Sequence, residues 1–178
     1  MIIAHQKKEN NIAEYVLYMW QVEDLARAYN LNMVEIEKSI VSQYEQPIEV
    51  VKEIKQWWEN MVSMMKSEKI EKSGHLQVIS NTLNDVNRLH LQLLKNPSET
   101  AYKHNYNSIA GLIKDFNNKS NNQYSNDIEA CLSAIYSSFM LKLQGKEITE
   151  GTEDAIKRFS KFLALLSKKY KEELETKE

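Results

Sequence analysis

Residues 12–29, IAEYVLYMWQVEDLARAY, are apolar on almost every side when they are placed on a helical wheel. A surface helix carries a single apolar stripe, whereas a helix that is apolar nearly all round is a buried one. The stretch contains no glycine or proline that would interrupt it. It therefore predicts a long helix that begins near Lys8, ends about Tyr29 and lies at the centre of a helical bundle.

Two charged residues fall inside the apolar arc of this helix. Glu23 and Arg27 lie at roughly 20° and 60° on the wheel, and their four-residue spacing lets them pair. Burial of an unpaired charge is costly, so we favour a buried ion pair that fixes the helix register. The other interpretation is a ligand-binding or catalytic site lined by Tyr15, Tyr18 and Trp20. In that site Arg27 holds an anionic group and Glu23 acts as acceptor or base.

The run AEYVLYMWQVEDLARA, after the opening MIIAHQKKENNI, resembles the N-terminal signature of a known protein family. That family comprises uncharacterised small all-helical bacterial proteins and has the status of a domain of unknown function. The resemblance covers most of the chain and is strongest in this first helix. It implies an all-helical fold, and it implies no activity, ligand or catalytic residue.

Composition places the chain among ordinary soluble globular proteins. A length of 178 residues suits one domain, and four glycines and two prolines favour long helices. The net charge of −2 argues against binding to nucleic acid or to an anionic membrane surface. No run approaches the ~18 apolar residues of a membrane span. We expect no signal peptide, because the opening MIIAHQKKENN contains no long apolar region. With a single cysteine, we expect a cytoplasmic location.

The same periodicity predicts further helices, making an all-α, single-domain bundle of six to seven helices over residues 1–178. They run over about 33–44, 47–67, 76–94, 97–116, 126–145 and 149–170. Caps are predicted at Asn32, Asn96, Asn126 and either Thr149 or Thr152. We expect the chain ends to fray and the polar stretch 117–126, NNKSNNQYSN, to form a mobile loop.

The third predicted helix carries two apolar edges and a pair of adjacent tryptophans. Large residues of this kind either fill a thick core or anchor a partner surface, and the pattern favours neither interpretation. The residues of the candidate interface are Trp57, Trp58, Met61, Val62 and Met65.

Other residues are expected to be structural. Cys131 lies on an apolar face and is interpreted as a small buried hydrophobe, and His90 as a core histidine with a satisfied partner. Glu71 and His75 straddle Gly74 at a predicted turn, which makes a weak ligand pair. We find no di-iron, zinc or phosphate-loop pattern, so no metal or cofactor is predicted.

No motif establishes the biochemical function, and an enzyme is the less favoured class. The first hypothesis is a non-enzymatic cytoplasmic interaction module that self-associates or binds an unknown protein partner. The alternative is a helical bundle that binds a small ligand or catalyses a reaction at the polar site around Glu23 and Arg27.

Overall fold

The computed structural model describes residues 2–121 and 123–176, and within these ranges the chain forms helices and no strand. In chain order the helices are α1 (Ile2–Asn10), α2 (Ile12–Ala28), α3 (Met33–Ser39), a 3-10 turn (Val41–Gln43), α4 (Ile48–Ser67), α5 (Gln77–Lys95), α6 (Thr100–Lys119), α7 (Asp127–Leu143) and α8 (Glu150–Glu175). The all-α class is thus confirmed, but the described residues contain eight α-helices rather than six or seven.

The additional helix arises because the predicted helix from Lys8 to Tyr29 is broken at Asn11. Asn11 adopts an extended backbone (φ −155, ψ 99), and its side chain accepts a hydrogen bond from the backbone N–H of Glu14. Asparagine is among the best N-cap residues because its oxygen satisfies a free N–H of the first turn. The cap therefore starts α2 at Ile12 and leaves residues 2–10 as the separate helix α1.

The predicted caps succeed at three of four positions. Asn32 accepts from Val34 N, Asn126 from Glu129 N, and Thr149 from Thr152 N. The prediction at Asn96 is wrong, since α6 begins only at Thr100. The Asn96 side chain instead accepts from Ser98 N at 3.0 Å and closes a turn. Such local turns compete directly with helix initiation.

All eight α-helices contribute side chains to one connected core of buried apolar residues. Helix α2 packs against α1, α4, α5, α7 and α8, and α8 packs against α1, α2, α5, α6 and α7. The hydroxyl of Ser167 on α8 accepts a hydrogen bond from Ala13 N, an N–H in the first turn of α2 that has no partner within its own helix. Since α8 is as widely packed as α2, the central place of the N-terminal helix stays a prediction.

The polar stretch 117–126 is shorter as a loop than predicted, because α6 continues to Lys119. Asn117 accepts a hydrogen bond from Tyr124 N and donates one to Tyr124 O, and the Phe116 and Tyr124 rings stack at 5.5 Å. These contacts tie the end of the loop back to α6. Helix α8 continues to Glu175, past Tyr170, where the frayed C-terminal tail was expected to begin. Residues 1, 122, 177 and 178 lie outside the described residues.

Two residues that were predicted to be structural are confirmed in the core. Cys131 is fully buried, and burial raises the pKa of its thiol. His90 is 2% exposed, and its Nδ1 lies 2.7 Å from the Tyr102 hydroxyl. Across the described ranges, no helix has both the length and the apolar character that a membrane crossing requires.

Candidate functional site

Glu23 is the most deeply buried charged residue of α2, with an exposed fraction of 0%. One carboxylate oxygen lies 2.6 Å from Nδ1 of His75, and the other accepts a hydrogen bond from Leu76 N at 2.8 Å. The buried position agrees with its place in the apolar arc. The expected partner was wrong: within the described residues, Glu23 bonds to the beginning of α5 and makes no ion pair with Arg27.

Arg27 has a different set of partners. Its guanidinium forms a salt bridge with Asp24 at 2.9 Å and donates to the carbonyl oxygens of Ile70 and Gly74. Both carbonyls belong to residues 68–76, the connection between α4 and α5. Four residues along a helix bring Glu23 and Arg27 onto one face, but the connection crosses that face and supplies closer partners to each of them.

His75 extends this arrangement towards the surface. Its side chain is 41% exposed, and its ring stacks on Trp20 with centroids 4.7 Å apart. Trp20 also makes an edge contact with Tyr136 at 5.6 Å, and the Tyr136 hydroxyl donates to Asp24 at 2.6 Å. We refer to Glu23, Asp24, Arg27, His75 and Tyr136 as the polar cluster, with Trp20 packed against it.

The two tyrosines assigned to this site are placed differently. Tyr15 is buried on α2, and its pKa is raised by burial and, to a smaller extent, by the negative charge of Glu23. Tyr18 is half-buried, and its pKa is raised by burial and then by Tyr44. Tyr15 therefore lies within the electrostatic field of Glu23, whereas Tyr18 faces the region of the 3-10 turn.

Three members of the polar cluster escaped prediction. His75 was noted only as a weak partner of Glu71, and neither Asp24 nor Tyr136 was assigned to the site. His75 and Glu23 lie 52 residues apart and Tyr136 and Asp24 lie 112 apart, so no local spacing indicates either contact. The sequence did offer one signal, because the charged Glu23 lies inside an apolar arc. A charge buried in this way needs a partner, and that partner can come from a distant part of the chain.

The geometry limits what the polar cluster can do chemically. Glu23 is sealed from solvent, so its carboxylate cannot touch a substrate directly. It orients the imidazole of His75 through Nδ1, which leaves Nε2 as the nitrogen available for a proton transfer. Together with Arg27, it also fixes the connection between α4 and α5 onto α2.

The candidate interface on α4 is mostly inside the protein. Trp58, Met61, Val62 and Met65 are each at most 4% exposed, because they face α2 and the other core residues. Of the five residues, only Trp57 remains half-buried; its ring makes an edge contact with Trp58 at 5.4 Å. Both apolar edges are therefore used largely by the chain's own core, which removes the reason for expecting a broad surface there.

No group of three or more histidine, cysteine or acidic side chains that could hold a metal ion occurs within residues 2–121 and 123–176. A family model described as "Domain of unknown function (DUF4924)" matches residues 1–177. Neither a curated protein nor a solved structure matches the chain. Because the family model spans almost the whole sequence, the resemblance seen in the first helix is confirmed, and the chain belongs to the DUF4924 family, a domain of unknown function.

Proposed function

We propose that this chain is a non-enzymatic, single-domain helical module that associates with a second copy of itself through the outer edge of α4. The observation that carries the proposal is a row of three apolar residues on this helix that the core leaves partly uncovered. Val50 and Trp57 are half-buried and Met64 is 38% exposed. We call these three residues the α4 edge.

The spacing of the α4 edge suits contact with another helix. Its members are seven residues apart, so they form one line along a helix that packs chiefly against α2, α3 and the 3-10 turn. Tryptophan and methionine are enriched at interfaces because they bury a large area and adapt to the partner. In a two-fold dimer, the α4 edge of one copy packs against the α4 edge of the other, so the same three residues form both sides of the interface.

The experiment is sedimentation velocity on the wild type and on Trp57→Glu, over a wide range of protein concentrations. We expect the wild type to dimerise and Trp57→Glu to stay monomeric while it remains folded, with a helical circular-dichroism spectrum and a cooperative thermal transition. Gln56→Glu is the matched control, because it adds the same charge one residue away on the exposed face and should leave the dimer intact.

A monomeric wild type, or a dimer that survives Trp57→Glu, contradicts the proposal. Trp58→Glu is unsuitable, since Trp58 is 1% exposed and its replacement should unfold the chain.

A second candidate function is ligand binding or catalysis at the polar cluster, and the half-exposed imidazole of His75 favours it. A buried carboxylate that holds a histidine in one orientation is an arrangement suited to general base catalysis. Native mass spectrometry of the protein from its own host, compared with His75→Ala, tests this role. An added small mass that only the wild type retains supports it. If the two proteins carry the same added mass, or if neither carries one, the result contradicts this role.

A further inference from the structure

A cleft with a volume of about 380 Å³ lies between α6, α7 and the beginning of α8. This volume falls within the range of about 300–1,000 Å³ that small-molecule sites occupy. Phe159 and Ala134 form a buried floor, and Phe116, Leu141 and Ile156 form half-buried walls. Each of the three helices thus presents apolar side chains to the same space, and none of the residues that line it belongs to the polar cluster.

One polar group of this cleft makes no hydrogen bond within the described residues. Ser138 is 6% exposed as a residue and lines the cleft, and its hydroxyl oxygen is not one of the fully buried side-chain atoms without a partner, so it faces the open space of the cleft. A helical serine commonly satisfies its hydroxyl by donating to the carbonyl four residues earlier. Two other buried hydroxyls on helices do have partners: Thr82 donates to Val78 O, and Ser167 accepts from Ala13 N.

The charges around the cleft constrain what it can hold. Asp115 and Lys119 are both exposed at the rim, and they contribute opposite charges. Behind them the surface is apolar apart from serine and threonine hydroxyls. Such a site offers no net charge to attract an ion, and it offers the Ser138 hydroxyl, which can donate or accept a hydrogen bond.

We propose that the cleft between α6, α7 and α8 binds a compact, uncharged, mostly apolar small molecule whose single hydroxyl or carbonyl group pairs with Ser138. Burial of the apolar part against Phe116, Phe159 and Ile156 supplies affinity. The hydrogen bond to Ser138 supplies selectivity, because a bound molecule covers this hydroxyl and an analogue without a polar group leaves it unpaired. The lining of the cleft shares no residue with the α4 edge or with the polar cluster.

The first experiment is an NMR titration of the full chain with phenol and with toluene, which have nearly the same shape and differ in the hydroxyl. We expect saturable shifts of residues that line the cleft, with tighter binding of phenol. Ser138→Ala should weaken phenol binding by about fivefold and should not weaken toluene binding, because toluene leaves the hydroxyl unpaired. Ser133→Ala is the matched control, because Ser133 lies on the same helix and does not line the cleft. Neither change should reduce stability, since the Ser138 hydroxyl has no partner to lose.

A second pair of variants tests occupancy of the cleft directly. Ala155 lines the cleft on α8, so Ala155→Trp should fill it and abolish the binding of both probes. Ala164→Trp places the same side chain at an exposed position of the same helix and should have no effect. The proposal is overturned if phenol produces no saturable shifts in the cleft, or if Ser138→Ala weakens both probes equally. Binding of both probes that persists in a folded Ala155→Trp variant also overturns it.

Discussion

Glu23 holds the beginning of α5 with both of its carboxylate oxygens, although it belongs to α2. A carboxylate with an exposed fraction of 0% must obtain all of its hydrogen bonds from the protein. The two partners, His75 and Leu76, are adjacent in sequence, so one side chain fixes both the direction of the connection and the start of the next helix. At the scale of the residue, this contact ties local backbone geometry to the core.

We expect Glu23→Gln to lower the free energy of unfolding by about 1–3 kcal/mol. The amide keeps an oxygen for Leu76 N but loses the charge that strengthens the bond to His75. Urea denaturation at neutral pH measures the change. The control is Glu14→Gln on the same helix, which is 56% exposed and should change stability by less than about 0.5 kcal/mol. Equal effects in the two variants would mean that the Glu23 carboxylate contributes little.

His90 should make stability depend on pH. Burial lowers the pKa of His90 below its ordinary value of 6.5, and the nearby Asp127 opposes this only in part. The unfolded chain therefore binds a proton near pH 6.5 that the folded chain does not yet bind. The contribution of neutral His90 to the free energy of unfolding is therefore complete above pH 6.5. It is lost as the pH falls below that value, by at most about 1.4 kcal/mol per pH unit.

The measurement is the free energy of unfolding at pH 7.5 and at pH 5.5, two conditions chosen to bracket the ordinary histidine pKa of about 6.5. In His90→Asn we expect a smaller loss between the two conditions than in the wild type. His104→Asn, a change at an exposed position, should leave the difference as it is. If His90→Asn shows the full wild-type loss, the acid sensitivity comes from other groups.

At the scale of the element, two glycines should respond to the same substitution with opposite signs. Gly74 lies near the end of the connection before α5 and has a φ of +93, and an added Cβ would lie 3.4 Å from the side chain of Ile70. Gly111 lies inside α6, and an added Cβ there meets no atom within 4 Å. The Gly111 position therefore reflects no close approach of a neighbouring helix.

We expect Gly74→Ala to destabilise the protein by about 1–2 kcal/mol, because residues with a Cβ rarely adopt this backbone conformation. Gly111→Ala should stabilise it by about 0.5–1 kcal/mol, since alanine loses less backbone entropy in a helix. Thermal unfolding of the two variants provides the comparison, and each serves as the control for the other. A shift of the same sign in both would contradict the backbone argument.

The start of a helix could be predicted where a single capping side chain determines it. Asn32, Asn126 and Thr149 cap the helices that follow because the acceptor and the N–H lie two or three residues apart. Asn11 has the same ability and was overlooked, since the apolar run seemed continuous through it. At Asn96 two local structures compete for the same oxygen, and the sequence does not say that the turn prevails.

At the scale of the whole molecule, Cys131 reports on the opening of the core. It is fully buried on α7, and burial raises the pKa of its thiol, so the reactive thiolate is scarce in the folded state. We expect Ellman's reagent to label the native protein very slowly and the urea-unfolded protein at once. Ser137→Cys in a Cys131→Ala background should label quickly, because position 137 is exposed on the same helix. Rapid labelling of native Cys131 would mean that α7 opens locally.

The sequence by itself determined that the chain is all-helical, that α2 is largely buried, and that Cys131 and His90 are core residues. These properties follow from the periodicity and polarity of residues within one helix, which can be read from a short stretch of sequence. Tertiary structure alone decided that Glu23 pairs with His75, that Tyr136 reaches Asp24, and that most of the large residues of α4 face inward. Those contacts join residues that lie far apart in the chain. Which side of a helix with two apolar edges becomes buried depends on the helices that pack against it, so tertiary packing and not the local sequence pattern decides both features.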